Sequence, residues 1–184
     1  MDTPSRSIDV SDLRRVHERT THLFPHEYLD KGLGAIGLFL HNPPRNARYQ
    51  ASPLNSVTFA SLGVDGIHLG SVTDAHAVDP MAPVVLTIPM SFDVPNFIVG
   101  ESLYDFLCLG CRHGYSNLAN LHRQTEVTLN AYQNVPESFF DERAADILQT
   151  LSDELLLVPW PDVRGHFEDL QSRHLSMLRL RVPS

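Results

Sequence analysis

Positive charge is scarce in this chain. Its 184 residues hold one lysine, Lys31, and 14 Lys and Arg in all against 22 Asp and Glu, for a formal net charge of −8. Surfaces that wrap nucleic acid need clustered Lys and Arg to neutralise phosphates, so no nucleic-acid partner is expected. An acidic surface instead steers a basic protein partner towards itself, and it also keeps a protein in solution. Cysteine is scarce too: Cys108 and Cys111 are the only two. They fit a reducing compartment, and three positions apart on a helix they are poorly placed for a structural disulfide. No apolar run approaches the ~18 residues of a membrane span. The opening Met-Asp-Thr-Pro-Ser-Arg-Ser-Ile-Asp lacks the charged-then-apolar layout of a secretion signal. No membrane partner and a cytoplasmic location are therefore expected.

Catalytic signatures are missing as well. There is no G-x-S-x-G elbow to present a serine and no H-E-x-x-H to hold a metal. Gly32, Gly34 and Gly37 have the spacing of a dinucleotide loop. No strand signal precedes them and no acidic ribose partner follows, so no cofactor is expected. Internal repeats and low-complexity tracts are also lacking.

What is present is the composition of an ordinary globular protein, 42% hydrophobic and 20% charged, in a length suited to one core. Prolines punctuate short elements, clustering at Pro43, Pro44, Pro53, Pro80, Pro83, Pro89 and Pro95. Ser11 is a candidate cap for a helix to about His22, with Leu13 and Val16 buried. Pro25 suits a first helical turn. Residues 33–40 read as a strand or a bent apolar segment, and 41–56 as a long loop. Val57, Phe59 and Ser61 alternate with their neighbours. Gly63-Val64-Asp65-Gly66 then closes a hairpin, and residues 67–72 return.

Val84 to Ile88 predicts a strand covered on both faces, and Asn96 to Val99 a brief further strand. Ser102 and Asp105 begin a helix carrying Leu103, Phe106 and Leu107 on one stripe. Ser116 caps a short helix, a longer one spans about 138–157, and Asp162 caps another bearing Phe167 and Leu170. Leu175 to Val182 fits a terminal strand or a helix tail.

Two constellations carry possible chemistry. Cys108 and Cys111 with His113 form a lone C-x-x-C without the second pair of a zinc site, and they read as buried apolar residues. Asp65, His68, Asp74, His76 and Asp79 are dense in carboxylate and imidazole, as a metal or acid/base site would be. Local structure also accounts for them: Asp65 lies in the turn, His68 alternates out of a strand, and the rest occupy a loop. Phe92 and Phe97 flank Asp93-Val94-Pro95-Asn96, which makes them candidate interface anchors.

Taken in order, the signals resemble the SUKH superfamily over about residues 10–110. They are an N-terminal helix, Leu23-Phe24-Pro25-His26-Glu27-Tyr28-Leu29, Phe59 to His68 through Gly63-Val64-Asp65-Gly66, the Pro83 to Pro89 run, and a phenylalanine-containing helix after Ile98-Val99. Residues 120–184 have no clear counterpart. The resemblance implies an α+β fold, a central and mainly antiparallel sheet with helices packed on it. It also implies a non-enzymatic role, in many members that of a bacterial immunity protein that neutralises a toxin.

One domain over residues 1–184 is expected, with 136–184 as a helical C-terminal extension. The expected function is a non-catalytic protein-binding module, most concretely an immunity protein for a basic toxin domain. Its partner-binding candidates are Asp65, Asp74, Asp79, Phe92, Asp93 and Phe97. The alternative is a metal-dependent hydrolase using Asp65, His68, Asp74 and His76. A third possibility is a small-ligand module with the 41–56 loop as its lid.

Overall fold

The hairpin that the alternation predicts forms the middle of the sheet: β2 (Ser56–Ser61) pairs antiparallel with β3 (His68–Val72). Its turn places Gly63, Asp65 and Gly66 at φ of 79°, 47° and 70°, a left-handed region that glycine enters at little cost. Gly63 is needed for space as well, because a Cβ there would run into the Phe39 ring. The computed structural model describes residues 8–23, 31–134, 136 and 142–181. The Pro25 to Leu29 helix start, Phe139 and Phe140 lie outside them.

Three further strands complete an antiparallel meander in the order β1-β2-β3-β4-β5: β1 (Phe39–Arg45), β4 (Val84–Thr87) and β5 (Asn96–Gly100). Among the described residues five α-helices accompany it: α1 (Val10–Thr21), α2 (Leu103–Gly110), α3 (Thr125–Gln133), α4 (Glu142–Leu155) and α5 (Val163–His174). The fold is α+β, with helices packed on an antiparallel sheet. β1 corrects the first part of the long-loop reading of 41–56, since the strand runs through Pro43 and Pro44 to Arg45, while residues 46–55 form no helix or strand. An edge strand tolerates proline because one side of it has no ladder to complete.

Pairing across β3, β4 and β5 sorts chemistry by face. Leu69, Leu86 and Phe97 lie abreast, and one residue along, so do His68, Thr87 and Asn96. Directly paired residues share a face, so the first row is apolar and the second polar. Phe97 packs against Phe167 of α5, and Phe59 of β2 against Phe106 of α2, each with ring centroids 6.3 Å apart. The polar row is covered by residues 46–55, which fold back across it. Asn96 Nδ2 donates to Ala51 O at 3.1 Å, Thr87 Oγ1 to Asn96 Oδ1 at 2.8 Å, and Ser52 Oγ lies 3.0 Å from His68 Nε2. Each buried polar group in this row thus has a partner, as burial requires.

The helix caps are local. Ser102 Oγ accepts from Asp105 N at 3.1 Å, while the Asp105 carboxylate accepts from Glu101 N at 2.9 Å. Asp162 accepts from Gly165 N at 2.9 Å. At α1 the cap is Asp9, two positions before the expected Ser11. Its carboxylate accepts from Ser11 N and Asp12 N, and the Asp12 carboxylate in turn accepts from Asp9 N. A carboxylate facing exposed helix-start N–H groups is favoured by charge as well as geometry. α4 ends at Leu155, before Pro159, because Leu156 turns left-handed at φ 53°. The terminal segment forms neither a strand nor a full helix tail: Leu175–Met177 is one 3₁₀ turn, and the chain then runs extended alongside residues 54–55.

Candidate functional site

Sheet topology divides the candidate residues between two ends. The β2–β3 turn and the β4–β5 turn emerge side by side, because His68 and Thr87 pair where β3 begins and β4 ends. The β3–β4 connection leaves from the other end. Asp65, Phe92 and Asp93 therefore share one end, and Asp74, His76 and Asp79 occupy the opposite one.

At the first end the turns are tied. Leu62 N donates to Ile67 O at 3.0 Å and Ile67 N to Val64 O at 2.9 Å. In the β4–β5 turn Ile88 N donates to Pro95 O at 2.7 Å, Ser91 N to Ile88 O at 3.0 Å, and Ser91 Oγ to Val94 O at 2.9 Å. Phe92 is nonetheless 91% exposed, and Met90, Val94 and Val64 are exposed with it. Asp65 and Asp93 are exposed beside them. Sequence reading missed Met90, Val94 and Val64, although apolar residues within short turns were the available signal. Phe97 differs from Phe92: it is only 7% exposed and held in β5 against Phe167, so it belongs to the core and not to this surface.

His68 is a second correction. It does not alternate out to solvent but is 3% exposed under the returning 46–55 segment. Its Nδ1 lies 2.8 Å from Gly66 O, its Nε2 meets Ser52 Oγ, and the Tyr49 ring stacks on it at 5.6 Å. Burial pushes its pKa down, offset in part by the Gly66 hydrogen bond. A neutral imidazole with Nδ1–H facing the carbonyl satisfies both contacts.

The length of β3, at roughly 3.3 Å per residue, separates Asp65 and His68 from Asp74 and His76. That span exceeds the reach of a single ion's coordination shell. Among the described residues no three His, Cys, Asp or Glu side chains are grouped to hold a metal. Asp79 is occupied locally, its carboxylate accepting from Met81 N at 2.9 Å and its backbone bonded to Ser71 Oγ. Asp74 pairs with Arg179.

Cys108 and Cys111 are both buried, with no disulfide between them. Cys111 Sγ donates to Cys108 O at 3.1 Å, and burial raises the two thiols to about 12 and about 11 respectively. Thiols so protonated at neutral pH are poor nucleophiles and poor metal ligands.

Among the described residues no helix is long and apolar enough to cross a membrane. No protein-family model, curated protein or solved structure matches the chain.

Proposed function

We propose that the chain is a non-catalytic protein-binding module, most concretely an immunity protein that binds and neutralises a toxin, and that the sheet end bearing Phe92 is its docking surface. The observation that carries this reading is the presentation of Phe92. A large aromatic ring stands 91% exposed on a turn whose own backbone is hydrogen-bonded. Its exposure is therefore not a consequence of a loose loop. Leaving that ring in water forgoes about 1.5–3 kcal/mol of burial, a cost that a bound partner recovers. Aromatic anchors surrounded by smaller apolar contacts are the usual centre of binding energy in an interface.

Charge supports a basic partner. Asp65 and Asp93 flank the apolar group, and the chain as a whole carries −8, so a cationic domain is drawn towards it and oriented. The SUKH-like order of signals adds the immunity role to this binding role. Phe92, Asp65 and Asp93 belong to the surface. Asp74 and Asp79 lie at the far end of the sheet and do not.

Co-expression with the product of the adjacent open reading frame, followed by pull-down and a growth assay, tests the proposal. The wild type should bind and protect, F92A should lose both while remaining folded, and D74N should behave as wild type. No binding and no protection by the wild type would sink the immunity role.

A further inference from the structure

We infer that the cavity at the opposite end of the sheet, between the end of β1, the β3–β4 connection and the C-terminal segment, is a binding site for a small oxyanion, a carboxylate or a phosphate. The cavity has a volume of about 390 Å³, and its lining includes Arg45, Asn46, Thr73, Asp74, His76 and Arg179. This volume lies within the ordinary range of small-molecule pockets.

Charge selects the ligand. In a chain with 14 basic and 22 acidic residues, this cavity reverses the balance: two guanidiniums face one carboxylate. Arg179 pairs with Asp74, which neutralises the one acid present and leaves it unsuited to a cation. Arg45 has no carboxylate partner among the described residues, so its fork of donors is open to an acceptor, and planar guanidinium donors match carboxylate and phosphate oxygens in pairs. Thr73 and His76 add a hydroxyl and an imidazole at the rim.

Arg179 is anchored but not locked. Its backbone N–H donates to Asn55 Oδ1 at 2.8 Å and its carbonyl accepts from Leu54 N at 2.7 Å, while its side chain is 60% exposed. Asn55 also donates to Met177 O at 2.9 Å. The backbone is thus fixed at the cavity wall while the guanidinium is free to exchange Asp74 for an incoming oxyanion. In the unliganded protein Asp74 acts as the internal competitor for that guanidinium.

The test is thermal unfolding of the full chain titrated with inorganic phosphate or with succinate, at constant ionic strength maintained with chloride. Backbone amide shifts are followed by NMR in parallel. A site here gives saturable stabilisation, with shift changes centred on Thr73 to His76 and Arg179. The anion that saturates at lower concentration identifies the source as phosphate or carboxylate. R45Q should weaken binding by about tenfold, the loss of one charge-assisted contact. D74N should tighten it by about two- to fivefold, by removing a competitor held in an exposed ion pair. Both positions are exposed, so neither variant should threaten folding. Stabilisation equal to that in chloride, or identical titrations for wild type, R45Q and D74N, would overturn the inference.

Discussion

The side-chain amide of Gln171 on α5 satisfies both outward-facing backbone groups of Ile98 on β5, accepting from Ile98 N at 2.9 Å and donating to Ile98 O at 2.7 Å. β5 is an edge strand, and an unpaired edge is a template for another chain. One glutamine takes the place of a sixth strand at the centre of that edge. Its Nε2 also donates to Phe167 O at 3.0 Å, within its own helix, which fixes the amide in the bridging orientation.

Q171A should therefore cost about 1–3 kcal/mol, the penalty for leaving buried backbone groups unsatisfied, and should increase self-association. Q171E keeps the acceptor but sets a carboxylate against the Ile98 carbonyl. It should be destabilised at neutral pH and recover relative to Q171A on acidification, when the protonated acid regains a donor. Urea unfolding across pH, with light scattering for association, checks both.

Phe92 and Phe97 have opposite roles and should separate cleanly. F92A removes a ring that touches solvent, so its stability should stay within about 0.5 kcal/mol of wild type. F97A empties a core position and should cost about 3–5 kcal/mol. Denaturant midpoints of the two variants measure the difference. Only F92A should then be folded and defective in partner capture.

The thiols should be silent in the native state. With Cys108 and Cys111 buried and raised to about 11 and about 12, Ellman's reagent at pH 8 should react with neither on the timescale that titrates a free thiol, and with both after guanidinium is added. Rapid labelling of the native protein would place one of them at the surface.

The readable parts of this fold are those with local causes. The Val57–Val72 hairpin, the Ser102 and Asp162 caps and the apolar Val84–Thr87 strand each follow from a turn, a cap or a continuous run. α3 was not readable, because its buried face consists of Thr128, Leu129 and Tyr132 while Val127 points to solvent. Too little apolar periodicity remains there to announce a helix. β1 was hidden by its two prolines.

For the sites, the same limit applies at longer range. Phe92 and Phe97 look alike in the sequence, and only the start of β5 at Asn96 decides which is buried. That Asp65 and Asp74 lie at opposite ends follows from strand order. The exposure expected for His68 failed because residues 46–55 return over the sheet, and no local signal encodes that return. Arg45 and Arg179 line one cavity for a similar reason: the C-terminal segment docks beside residues 54–55.

His166 and His68 should give stability profiles of opposite sign. His166 Nε2 lies 2.9 Å from Asp105 Oδ2, and that hydrogen bond raises its pKa above the ordinary 6.5. The folded state then holds its proton more tightly than the unfolded state does. Its contribution is fully present below about 6.5 and is lost as pH rises through the raised value. As a partly exposed pair it is worth about 0.2–1 kcal/mol. His68 is the reverse case: burial lowers its pKa, so its contribution is present above about 6.5 and is lost as pH falls through the lowered value. Unfolding free energies of wild type, H166Q and H68Q between pH 5 and 8 separate the two. The gap between wild type and H166Q should narrow upward from pH 6.5, and that between wild type and H68Q should narrow downward from it. Parallel profiles for all three proteins would show that neither imidazole is coupled to folding.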